Sequence, residues 1–266
     1  MTICAYATFD GQESDDELDP VLAAWRAAGV EGRAERWDDP AADWSAYDAV
    51  VVRSVWDYVP RRAEFLAWAR HVESVSRLLN PAAVIAANTD KTYLRDLPSV
   101  PTHWSSEDLP HWPEYVVKPA ISAGARDTTR TRDRGEAVAL AAALEAAGRT
   151  PMVQPYLDMV ETEGETSLLY FNRRLSHAVR RNPMLAGGDA DASLAEARTP
   201  DADQVELAER VLATVPGPLL YARVDLVRLP GGEPAVIELE LTEPYLFLRH
   251  DPGAPQAFAK ALVELL

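Results

Sequence analysis

The sequence predicts an α/β chain made of separate α+β lobes, with a Rossmann-like unit at the N-terminus. Three observations carry that expectation. Short apolar runs alternate with helical patterns over the first eighty residues. A compact strand–loop–helix–strand unit then spans 115–157. Two β-hairpins and a closing helix make up the remainder.

Taken in order, Ile3–Phe9 is the first strand, followed by an acidic, glycine-containing loop, Asp10–Asp19. Pro20–Gly29 has proline near the start and glycine at the end of a helical pattern. Arg33–Trp37 offers a second strand and Ala49–Arg53 (AVVVR) the clearest buried one. Pro60–Ser76 is an amphipathic helix with Phe65, Leu66, Ala69 and Val72 inward. Leu79-Asn80-Pro81 marks a boundary, Val84–Ala86 a short strand, and Thr89 or Asp90 the cap of a helix running to Leu97. A Pro-rich connector follows, Pro98–Trp112. In the next unit Tyr115–Val117 is a strand, Gly135–Gly148 an alanine-rich helix and Pro151–Leu157 a strand. One hairpin turns at Asn172-Arg173-Arg174 and another at Pro230-Gly231-Gly232, between Leu219–Leu229 and Ala235–Leu241. Arg180–Arg198 is a polar loop, Asp201–Val215 a helix, and Ala254–Leu266 the last helix.

Composition narrows the function classes. The formal charge of −16 argues against nucleic acid and anionic membranes as partners. No apolar run reaches membrane-spanning length, and no secretory signal pattern opens the chain, so a cytoplasmic location is expected. The single cysteine, Cys4, fits a reducing compartment and a small core residue. The five histidines are scattered, without zinc spacing. Lysine occurs only at 91, 118 and 260, with arginine as the default cation. A lysine is a compact point charge suited to phosphate oxygens, so each one asks for a reason. Lys260 lies on a surface helix.

The stretch Tyr115–Thr129 delivers Lys118 at a strand end, followed by Pro119 and the small residues Ser122, Ala123 and Gly124. Such a loop can fold backbone N–H groups around an anion. The order of lysine and glycine is the reverse of the P-loop pattern. Lys91 stands in the first turn of its helix, where a cation opposes the helix dipole and an anion nearby would compensate. In the last hairpin Glu238 and Glu240 share one strand face, and Asp225 can lie across from them, with Arg223 on the same face as Asp225. Three carboxylates so placed repel one another unless a cation neutralises them, and oxygen ligands of this kind suit Mg²⁺. The same alternation also serves the water-facing side of an antiparallel sheet. Gln154, Tyr156 and Leu157 follow an apolar strand and precede Glu163 and Glu165; alone they read as an ordinary turn. Arg53, Ser54, Trp56, Asp57 and Tyr58 follow a strand's carboxyl end, where open α/β sheets bind ligands. The aromatics there could equally be domain packing.

The order of these motifs resembles the ATP-grasp family: a lysine at NTDK, VVKP with a small-residue loop, QPYL then EGE, then RVD and ELE. RSVWDY, NTDKTYL and ELELTEPYL resemble, more narrowly, the group of D-cycloserine-forming ligases, within the glutathione-synthetase-like branch. The resemblance covers nearly the whole chain and implies an ATP-grasp fold with two lobes clasping ATP. The implied lobes are 1–84 for substrate, 114–157 as a small lid, and 85–113 with 158–266 as the nucleotide- and metal-binding lobe.

It further implies ATP and Mg²⁺ as cofactors. Lys91 and Lys118 would hold phosphates under the Ser122-Ala123-Gly124 loop. Gln154, Tyr156 and Leu157 would frame adenine, with Glu165 and Glu163 at the ribose. Asp225, Glu238 and Glu240 would bind metal. Arg223 and Arg180 would face the γ-phosphate. Arg53, Ser54, Trp56, Asp57, Tyr58 and Glu243 would meet the substrate. The chain departs from the family in Arg180–Arg198, which is acidic and Ala-rich, and in placing Glu243 where asparagine is usual. The implied reaction joins a carboxylate and an amine of a small amino-acid-like substrate through an acyl-phosphate, forming an amide or a ring. A small-metabolite kinase or a silent nucleotide-binding protein on the same fold would share every nucleotide residue. The resemblance also admits a homodimer.

Overall fold

The computed structural model describes residues 2–11, 15–122, 127–182 and 195–266. The expected Ala123–Gly124 part of the grip loop lies outside them, as does most of the Arg180–Arg198 segment.

The N-terminal sheet is four-stranded and parallel, ordered β2-β1-β3-β4. Its strands are β1 (Thr2–Thr8), β2 (Val30–Arg36), β3 (Ala49–Val52) and β4 (Arg77–Leu79). β3 is buried along its whole length, as its unbroken valine run requires of a strand covered on both faces. Helix α1 (Leu18–Ala27) packs on one face through Val21 and Trp25, and α2 (Arg62–Val75) on the other through Phe65, Ala69 and Val72.

The expected strand Val84–Ala86 is instead part of helix α3 (Ala82–Asn88). Pro81, with extended backbone, sits at its N-cap, and four of its seven residues are alanine, the best helix former. The expected helix to Leu97 is a 3₁₀ turn, Lys91–Asp96, capped by Asp90, whose side chain accepts from the Thr92 N–H at 3.0 Å.

The small unit is a three-stranded antiparallel sheet, β6-β5-β7, built from β5 (Tyr115–Pro119), β6 (Thr129–Thr131) and β7 (Pro151–Pro155). It is covered by α4 (Arg134–Ala146). α4 buries little more than Ala137 and Ala141, so this core is thin.

The last sheet has five strands, β10-β9-β8-β11-β12, all antiparallel. They are β8 (Glu165–Phe171), β9 (Arg174–Arg181), β10 (Glu196–Ala197), β11 (Tyr221–Arg228) and β12 (Pro234–Glu240). A short helix, α5 (Met159–Thr162), leads into β8. One face of this sheet packs on α6 (Ala202–Ala213) through Leu168, Tyr170, Ala222 and Val224. On the other face Leu169, Phe171 and Tyr221 join α1 and α7 (Ala254–Leu265) in one core. The rest of that second face is charged. No helix among the described residues is long and apolar enough to cross a membrane.

Candidate active site

The charged half-face is assembled by strand register. In antiparallel pairs directly opposed side chains share a face. Asp225 stands opposite Glu238 on β12 and Ser167 on β8, and Arg223 stands opposite Glu240. Asp225, Glu238 and Glu240 each present an oxygen within 4.8 Å of the others. Asp225 is fully buried. Asn88 and Tyr93 close the outer edge of β12. The Asn88 amide donates to the Leu239 carbonyl and accepts from the Leu241 N–H, each at 2.7 Å, and the Tyr93 hydroxyl donates to the Leu239 carbonyl at 2.7 Å.

Four cations face these acids. The Arg223 guanidinium grips Asp225 at 3.0 Å and also contacts Glu240. Arg181 bridges Asp225 and Glu165, at 2.7 Å each, and donates to the Ser167 hydroxyl at 2.8 Å. Lys91 lies 3.1 Å from Glu238 and donates to the Ser122 carbonyl at 2.5 Å. Lys118, near the end of β5, adds its charge to Glu238 and Glu165.

The electrostatics are uneven. Burial works against the Asp225 carboxylate, but Arg181 and Arg223 outweigh it and hold the group below its usual range. Glu238 is likewise held low against burial by Lys91 and Lys118. Burial and the neighbouring acids push Glu240 up to about 7, although Arg223 opposes the rise. Burial and Glu240 push Glu243, hydrogen-bonded to Tyr58, up to about 8. Burial pulls the Lys118 ammonium down. Glu240 and Glu243 are therefore short of positive charge, beside Lys118, whose charge burial disfavours. A triphosphate with a divalent cation would satisfy both, and the hard oxygen donors of the trio suit such a cation.

The remaining expected residues are placed as follows. Arg180 is on the wrong face. Strand alternation turns it away from Asp225, and its guanidinium donates to the carbonyls of Glu163 and Thr162 at 2.7 and 3.0 Å. Its neighbour Arg181 is the residue in the cluster; parity counted from the β8–β9 turn favours 180, and a bulge between Leu169 and Tyr170, which the sequence does not signal, shifts the register by one residue. Glu165 is in the cluster through Arg181, whereas Glu163 pairs with Arg198 at 3.1 Å and Arg228 at 3.4 Å. The Gln154 side chain is buried and donates to the Thr102 hydroxyl at 2.8 Å. Tyr156 lies 3.4 Å under the Arg130 guanidinium, and Leu157 packs with Val100 and Val160.

In the N-terminal segment only part of RSVWDY reaches the cluster. The Trp56 indole N–H approaches the Glu243 carbonyl at 3.4 Å, and Tyr58 bonds the Glu243 carboxyl. Asp57 is tied to Arg61 and to the Trp37 indole N–H at 2.9 Å. Ser54 shares a 2.8 Å hydrogen bond with Thr8. Arg53 is 2% exposed and pairs with Glu17 at 3.0 Å, within the core.

Residues 3–80 match the family model of the N-terminal domain of D-cycloserine synthetase DcsG. Over 282 aligned residues the chain is 35% identical to the cycloserine biosynthesis protein DcsG of Streptomyces lavendulae, covering 95% of this chain and 94% of that protein. It superposes on the crystal structure of D-cycloserine synthetase DcsG with a TM-score of 0.91, at 33% identity and 99% coverage of both chains. The ATP-grasp ligase PsnB, solved with a precursor variant, Mg and ADP, shares the fold at a TM-score of 0.64 and 17% identity, over 99% of this chain and 97% of that one. The chain belongs to the ATP-grasp ligase family, in the group of D-cycloserine synthetase.

Proposed function

We propose that the chain is an ATP- and Mg²⁺-dependent carboxylate–amine ligase acting on a small amino-acid-like substrate, and that it closes a ring within that substrate. The observation that carries this reading is one cluster of charges: the Asp225, Glu238 and Glu240 carboxylates, with oxygens within 4.8 Å of one another, beside Lys91 and Lys118. The similarity to a D-cycloserine synthetase supports the ring-closing form.

In this reading Lys91 and Lys118 hold phosphate oxygens. Ser122, whose carbonyl accepts from Lys91, stands beside them. A divalent cation bound by Asp225, Glu238 and Glu240 would neutralise phosphate charge. Gln154, Tyr156 and Leu157 meet adenine through their backbone, because their side chains are committed elsewhere. Glu163 and Glu165 are both engaged by arginines, so a ribose hydroxyl has to displace one of them.

A substrate carboxylate oxygen attacks the γ-phosphorus and the bond to the β-phosphate oxygen breaks. ADP leaves and an acyl-phosphate remains. Arg223 and Arg181 stabilise charge on the transferring group, since phosphoryl transfer needs positioning and neutralisation more than a covalent nucleophile. The substrate's own nitrogen then attacks the acyl carbon, phosphate departs, and the nitrogen gives up a proton. Glu243 and Tyr58 meet the substrate from the N-terminal side.

The test is ADP release from Mg-ATP across a panel of amino acids bearing a side-chain nitrogen nucleophile, with hydroxylamine present in parallel. ADP with hydroxamate supports the ligase. ADP with a stable phosphorylated product and no hydroxamate supports a kinase instead.

A further inference from the structure

Glu17 lies in the acidic loop before α1, in a stretch to which nothing above gives a role. Yet it is only 3% exposed. Its side chain leaves its own helix and crosses to the segment that follows β12. One carboxylate oxygen accepts the Leu246 N–H at 2.9 Å and the other the Leu248 N–H at 3.0 Å. These are the two amides flanking Phe247, which has φ 52° and ψ 35°. That left-handed conformation is unfavourable for a bulky residue and persists only where the surroundings impose it. Arg53 completes the hold, donating from one nitrogen to Glu17 at 3.0 Å and to the Pro244 carbonyl at 2.8 Å.

The turn so fixed is one wall of the active site. The Arg223 guanidinium lies 5.6 Å from the Phe247 ring centroid and donates to the Tyr245 carbonyl at 3.0 Å. Tyr245 packs edge-on against Phe247 at 4.9 Å. Arg223 is therefore held on one side by Asp225 and on the other by this turn. We propose that Glu17 is a positioning residue for Arg223: it locks the left-handed turn at Phe247, and the turn's ring and carbonyl fix the guanidinium against Asp225. The positional claim stands without the ligase reading; its catalytic consequence rests on it.

The experiment uses the full chain carrying Glu17→Gln. Amide exchange at Leu246 and Leu248 is expected to speed up about tenfold or more, while Val51 and Leu168 in the sheet cores keep their protection. The Arg223 Nε–H resonance, assigned by its loss in Arg223→Lys, is expected to shift or broaden. In the ADP-release assay kcat is expected to fall about 10- to 100-fold with KM for ATP within about threefold. Unchanged protection, or lost protection with an unmoved Arg223 resonance, overturns the proposal. Phe247→Leu keeps Glu17 and both its amide bonds but removes the ring. It is expected to move the Arg223 resonance while Leu246 and Leu248 stay protected, and an unmoved resonance there overturns the proposal even if Glu17→Gln does not fold. Absence of ADP release by the parent chain counts against the ligase reading alone.

Discussion

Two buried ionic groups both touch the turn at 244–248 and behave as opposites. In the Glu17–Arg53 pair the partners are largely backbone: the amides of Leu246 and Leu248 and the carbonyl of Pro244. Around Asp225 the contacts that neutralise charge come from side chains, Arg181, Arg223, Lys91 and Lys118. A charge tied to backbone cannot be released without unfolding a turn. A charge tied to long side chains can exchange its partner for a ligand. The first arrangement holds a shape; the second is ready to bind.

Substitutions can break this contrast. The largest effect is expected for Asp225→Asn: turnover in the ADP-release assay falls by about 10³-fold or more, with a native circular-dichroism spectrum. Lys118→Met is expected to lower kcat/KM about 10²-fold without loss of thermal stability, because burial already disfavours its charge. Full activity of either variant would remove these residues from the site. The closed pair predicts the reverse pattern. Arg53→Met leaves the buried Glu17 carboxylate without its counter-ion and is expected to cost about 3 kcal/mol in urea unfolding. Less than 1 kcal/mol would mean that the pair holds little.

Strand parity gives a sharper and smaller comparison. Arg181→Ala is expected to reduce kcat about tenfold or more, and Arg180→Ala about twofold or less. Equal losses would show that the two guanidiniums exchange places. The smallest effect concerns His177, whose ring lies 2.9 Å from the Leu246 carbonyl. Burial pulls it below its ordinary 6.5. The fold therefore prefers the neutral ring. Its stability contribution is full above pH 6.5 and declines as pH falls through the lowered folded value. Urea midpoints should drop on that acid limb, and His177→Gln should flatten the drop.

Much of the site was legible because β-strands alternate. Glu238 and Glu240 share a face by parity, but Asp225 comes opposite Glu238 only through a bulge between Asp225 and Leu226, since an unbroken hairpin register would pair it with Ile237. A second bulge, between Leu169 and Tyr170, explains the displacement of Arg180. The register of β9 against β8 decides whether residue 180 or 181 points at Asp225, and spacing within β9 alone is silent on it. The helix at Val84–Ala86 was missed because three residues have no readable period, and their alanine-rich surroundings favour a helix once Pro81 starts it.

The sequence by itself determined the alternation along each unbroken strand and the rarity of its lysines, which are local properties of a chain. Only the tertiary structure decided which charge meets which: Arg53 turned to Glu17 in the core, Asp57 to Arg61, and Arg181 to Asp225. Coulomb and hydrogen-bond energies depend on distances through space, and residues 17 and 246 are brought together by packing, not by spacing along the chain.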